Sequence, residues 1–374
     1  MRKKSERFAM EQRPHLYYFD YLRIFAAFCV IFMHTAADPL RAGFNLSWEG
    51  LNLLTSLSFT AVPLFFMMSG YLLLSGERTA DISILVKKRL PKLVFPLAAW
   101  SLIYILWNLF QQGTLTPRAI AAGILHAFTE PAAIHLWFLY MLIVLYLLSP
   151  FLYGAVHSLN RKGHLYLLLL IGAVTLRAMA LPLLPEGLRS LANWNFSTDA
   201  YVFFGHLCSF LLGYYLGSLK REIPNGLLLA AAAVLWAGIT LGTRILSLKN
   251  GVYTAVFQQQ HSGYEVLLAA CIFLLCKQKL NRKPHKFLIL PRAQLLMAVY
   301  LVHNLLLSIL LAKGIVAKGF FDTLLLTLAN YGVSYYLVKT LASVKPLSYL
   351  FTGIPYKTAC AHCNWMALFR RRKG

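Results

Sequence analysis

Residues 17–37 read YYFDYLRIFAAFCVIFMHTAA. The run matches the ~20 residues a helix needs to cross the hydrocarbon core of a bilayer, and it carries Asp20, Arg23 and His34 within it. Working outward, similar apolar stretches lie at about 51–75, 93–111, 135–153 and 164–181, and then at about 201–219, 226–246, 264–276, 293–312 and 321–344. The 374 residues are 59% hydrophobic, against roughly 45–50% in an ordinary soluble domain. Their mean hydropathy is +0.61. The reading is an all-α, polytopic membrane bundle of about ten transmembrane helices.

The charge pattern orients that bundle. Lys and Arg number 36 against 13 Asp and Glu, a formal net charge of +23. With the amino terminus in the cytoplasm, the inner segments hold five, five, two, two, six and seven cationic residues in chain order, whereas the outer loops together hold six and the helices three. That asymmetry predicts both termini on the cytoplasmic side by the positive-inside rule. It also removes nucleic acid as a partner, because the cations are spread over loops rather than gathered on one basic face, and it leaves anionic membrane lipids as their main neighbours. The first stretch follows a basic segment as a signal peptide would, but it is long, carries charge and precedes nine more apolar stretches, so it is expected to remain as a helix. One membrane domain is expected over 14–345, between a basic cytoplasmic segment at 1–13 and a basic cytoplasmic tail at 346–374. Six cysteines lie in or near helices or in the tail, where disulfides are not expected. Cys360 and Cys363 have a metal-like spacing with no second pair to complete it.

Ionisable side chains inside a bilayer are costly and mark function unless they pair structurally. Asp20 and Arg23 stand three residues apart, near enough on a helix to pair. Arg23 and His34 are separated by eleven residues, which returns them to within about 20° of one face at a rise of about 16 Å. By the expected topology Arg23 lies toward the cytoplasm and His34 toward the outside. His135, Arg177, Asp199, His206 and Arg244 fall at outer helix ends and His303 midway along the ninth stretch, and together they suggest a polar cavity. A substrate pathway of a secondary transporter would have the same ingredients, although no inverted repeat is visible. A structural subunit of an envelope complex is a third reading.

The motifs add a resemblance. Phe19-Asp20-Tyr21-Leu22-Arg23 with His34, the segment Val62-Pro63-Leu64-Phe65-Phe66-Met67-Met68-Ser69-Gly70-Tyr71, His135-Leu136-Trp137-Phe138 and Tyr300-Leu301-Val302-His303 occur in this order. The set resembles acyltransferase family 3, integral-membrane acyltransferases that O-acetylate bacterial surface glycans. It is most similar to the stand-alone members that acetylate an N-acetylglucosamine residue of a lipid-linked polysaccharide. The resemblance implies acetyl-CoA as donor, a glycan or lipid-linked glycan as acceptor, no metal, and residence in the bacterial cytoplasmic (inner) membrane. It implies that His34 acts as general base or as a transient acyl carrier, with Arg23 holding the donor or orienting the site electrostatically and Asp20 positioning Arg23. Lys88, Arg89 and Lys92 are expected to meet the phosphates of CoA, and Ser69, His135, Trp137 and His303 to line the site. Where many members carry Arg-x-x-Arg, this chain reads Arg89-Leu90-Pro91-Lys92, which keeps the charge but not the guanidinium fork.

Overall fold

The computed structural model describes residues 15–180, 184–185, 187–188, 198–282 and 293–363. The basic amino-terminal segment, the cations of 283–292, Arg189 and the tail beyond residue 363 lie outside them, as do the side chains of Asp199, Cys360 and Cys363. Every regular element among the described residues is helical: α1 Tyr17–Arg41, α2 Leu46–Ser58, α3 Ala61–Leu74, α4 Pro91–Gln111, α5 Pro117–His126, α6 Trp137–Ser158, α7 Arg161–Ala180, α8 Thr198–Ser218, α9 Asn225–Asn250, α10 Gly263–Lys279, α11 Leu296–Ala312, α12 Phe320–Ala342, α13 Lys345–Thr352 and α14 Tyr356–Cys363.

Among the described residues, six helical stretches are long and apolar enough to cross a membrane: Tyr17–Arg41, Leu46–Leu74, Ile82–Gln111, Ile134–Ser158, Asn225–Asn250 and Ala293–Ala312. The other four stretches read from the sequence fall on α7, α8, α10 and α12, outside that group. Large apolar side chains such as Val234 and Phe151 are 73% and 74% exposed on the outer surface of the bundle. A surface of this kind suits hydrocarbon and not water. The protein is a multi-pass membrane protein.

Helix α1 is the hub, packing on α2, α3, α10, α11 and α12. Leu22, Ala26, Ile31, Phe32 and Ala36 on it are fully enclosed. The stretch at 51–75 is not one unbroken helix but two, with a turn at Phe59–Thr60. Non-helical backbone at membrane depth needs internal partners. Here Ser58 Oγ donates to Leu54 O at 2.8 Å and Thr60 Oγ1 to Leu57 O at 2.7 Å, taking up carbonyls at the end of α2. Pro63 then falls in the first turn of α3, where a missing N–H costs nothing.

The packing of α3 on α8 depends on small residues. A Cβ added to Gly213 would lie 2.0 Å from Met67 O, and one added to Gly70 1.8 Å from Phe210 O. Gly205, Ser209, Gly213 and Gly217 recur every four residues along α8, a small-residue stripe that lets backbones approach in a membrane. At the other end of the bundle, Trp100 Nε1 donates to Phe351 O at 3.0 Å, fastening α13 against α4. Gly353, with φ +68°, ends α13 where a Cβ would strike Lys92 O.

Candidate active site

Arg23 projects from the first third of α1 into two adjoining cavities. One, of about 390 Å³, is lined by Arg23, Ser69, Lys92, Tyr146, Met297 and Tyr300 among others. Its neighbour, of about 530 Å³, is lined by His15, Phe19, Arg23, Tyr71 and Ser75. Asp20 sits between His15 and Arg23, its Oδ2 2.5 Å from His15 Nε2 and its Oδ1 3.5 Å from Arg23 Nη1. The expected Asp20–Arg23 pair is therefore present. Arg89 is fixed differently, since its Nη1 donates to Thr79 Oγ1 at 2.7 Å and that hydroxyl donates in turn to Leu73 O at the end of α3. Tyr146 lines the same cavity as Arg23 and lies near Arg89 as well. Of the three cations expected at the donor phosphates, Lys92 lines the cavity and Arg89 stands beside it. Lys88 is exposed and lines none of the cavities on either side.

Eleven residues further along α1, His34 meets two other histidines. Its ring centroid lies 5.2 Å from that of His303 and 6.2 Å from that of His135, and the last two are 5.2 Å apart. The cluster joins three elements: α1, α11, and the single 3-10 turn Ile134–Leu136 that leads into α6. His135 is 1% exposed and His303 fully buried. His303 Nδ1 lies 2.6 Å from Tyr300 O and His135 Nε2 3.3 Å from Leu301 O. Donation to those carbonyls leaves the lone pairs on His303 Nε2 and His135 Nδ1, both buried without a hydrogen-bond partner. Among the described residues no group of three His, Cys, Asp or Glu is placed to hold a metal ion.

Tyrosines brace this centre. Tyr104 Oη donates to Leu301 O at 2.8 Å and accepts from Leu305 N at 3.0 Å, bridging the helical turn that carries His303. Tyr300 Oη donates to the backbone carbonyl of His135, so α11 also fixes the 3-10 turn. Asn330 Nδ2 on α12 donates to His303 O at 3.0 Å. Tyr300 lines the Arg23 cavity and packs against both His135 and His303, which places it at the junction of the two halves of the site.

Beyond the histidines the site opens again. His34, Thr35, Asp38, Asn304 and Ser308 line a cavity of about 300 Å³. Tyr104, Trp107, Asn108, Trp137, Asn304 and Ser308 line a larger one of about 620 Å³. Trp137 stacks on His206 at 5.1 Å, which in turn faces Phe66 and His261. Arg244 does not join this polar region: it pairs with Glu49 at 2.7 Å and ties α9 to α2.

The structure thus gathers Arg23, Ser69 and Lys92 at one end, His34, His135 and His303 in the middle, and Trp137 at the other. Sequence reasoning did not single out Tyr104, Tyr146, Asn304 or His261. Glu265 was missed too, fully buried with both carboxylate oxygens unpartnered. Its one sequence signal is the Ser262-Gly263-Tyr264-Glu265 spacing of a helix start, which Ser262 confirms by capping α10.

The described residues form an all-α membrane bundle in which three facing histidines stand between two sets of cavities. The family model described as acyltransferase domain matches residues 16–339, and the chain belongs to acyltransferase family 3. It is a membrane acyltransferase. No curated protein and no solved structure matches it significantly.

Proposed function

We propose that this acyltransferase moves an acetyl group from cytoplasmic acetyl-CoA to a hydroxyl of a bacterial surface or lipid-linked glycan, with an N-acetylglucosamine residue as the first acceptor to test. In this reading ten helices span the bacterial inner membrane and both termini are cytoplasmic. The observation that carries it is the placement of Arg23 and His34 on one helix, facing separate cavities with the histidine cluster between them. A charged donor made in the cytoplasm would meet Lys92 and Arg23, its phosphates attracted by the cations. Its thioester would pass Tyr300 to reach His34. There His34 accepts the proton of the acceptor hydroxyl as the oxygen attacks the thioester carbonyl. The carbon–sulfur bond then breaks, and CoA leaves as the thiolate that takes up the proton.

Purified protein in nanodiscs, supplied with acetyl-CoA, tests the reading through CoA release with and without a glycan bearing N-acetylglucosamine. Acceptor-dependent release with acetyl recovered on the sugar is the expected result. Movement of a solute across sealed vesicles with no acetyl turnover would overturn it in favour of transport.

A further inference from the structure

The two cavities on the His34 side have lining residues in common, Asn304 and Ser308. Asn304 follows His303 on α11, and its carboxamide makes no hydrogen bond with any described residue. The tryptophans of the larger cavity are each fixed by a contact of their own. Trp107 Nε1 donates to Ser308 Oγ at 2.7 Å, and Trp137 lies stacked on His206 with the ring planes 28° apart. Asn108 Nδ2 is likewise engaged with Ala132 O at 3.2 Å. The larger cavity has no charged lining residue. In the smaller one Asp38 is 3.7 Å from Arg41. Fixed indole faces, a free amide and a hydroxyl, with little net charge, suit a neutral polyhydroxylated ring and neither an anion nor a basic peptide.

We infer that these two cavities form one acceptor subsite for a neutral pyranose ring, in which Trp107 and Trp137 provide the platform and the Asn304 carboxamide holds the reacting hydroxyl toward His34. The inference rests on the proposed reaction for its acceptor class, and it adds the residues that select the acceptor. Because Asn304 has no side-chain hydrogen-bond partner among the described residues, its replacement removes recognition without removing a structural bond there.

The test compares wild type, Asn304→Ala and Asn304→Asp in nanodiscs, with methyl N-acetyl-β-D-glucosaminide as probe. Saturation-transfer NMR reads sugar binding and acetyl transfer is followed in parallel. Loss of one hydrogen bond should raise the acceptor KM about three- to tenfold and weaken the NMR signal to match, with the donor KM followed beside it. The aspartate variant keeps the side-chain volume and removes the N–H donor, so it serves if the alanine variant fails to fold. Transfer at an unchanged acceptor KM in both variants overturns the subsite and leaves the reaction standing. Sugar binding that depends on Asn304 but leads to no transfer overturns the reaction and leaves the subsite standing. A wild type that neither binds nor acetylates the probe overturns the pyranose assignment.

Discussion

Arg23 and Tyr104 are the two residues whose replacement separates donor handling from support of the histidines. Arg23 lines both cavities at its end of the bundle and is paired with Asp20. A hydrogen bond to a charged group contributes about 1.5–3 kcal/mol, so Arg23→Gln should raise the donor KM on the order of ten- to a hundredfold with the acceptor KM unchanged. Initial rates at varied acetyl-CoA check this, and an unchanged donor KM would remove Arg23 from the donor path. Tyr104→Phe deletes the hydroxyl that bridges Leu301 O and Leu305 N beside His303. A buried bridge of this kind is worth about 1–3 kcal/mol when one partner is left unsatisfied, so the variant should melt earlier and turn over more slowly. At this scale the spacing of Arg23 and His34 was readable because helical phase is fixed by residue count. Tyr104 and Asn304 were not, because a tyrosine or asparagine in an apolar helix looks the same whether it braces a neighbour, lines a cavity or faces lipid headgroups.

Among elements, the α3–α8 contact makes the sharpest demand. Gly213→Val would force a side chain into Met67 O, and an overpacked close approach of this kind costs upward of about 2 kcal/mol. Gly238 on α9 has nothing within 4 Å of an added Cβ, so Gly238→Ala should be neutral or slightly stabilising, by about 0.5–1 kcal/mol at most. Thermal melts in detergent of the two variants should diverge, and equal melts would show that the approach of α3 to α8 is not tight. All ten apolar stretches coincide with helices because apolar length is a local property. The break in the second stretch and the separation of Lys88 from Lys92 depend on something less local. Leu90 N bonds back to Leu85 O at 2.9 Å in a π turn, which changes the angular phase across 85–89, so a plain helical wheel misplaces the cations that follow.

For the whole molecule, the proposed orientation rests on cation counts in loops, and labelling can test it. Single cysteines at Lys88 and Lys220 should react with an impermeant maleimide only after the membrane is opened, and cysteines at Arg118 and Lys249 should react in intact cells. The chain has six cysteines of its own, so the labelling belongs in a background lacking all of them. The reverse pattern would place Arg23 on the outer side and remove cytoplasmic acetyl-CoA as donor. In the proposed reaction His34 does the chemistry at the meeting point of the two sets of cavities. Acetyl transfer from labelled acetyl-CoA to glycan by His34→Ala, measured beside wild type with matched thermal melts, tests it most directly. Loss of the base predicts a fall of about 10² to 10⁴ in rate with the fold intact, whereas wild-type transfer by a folded His34→Ala protein would leave His34 without a catalytic role.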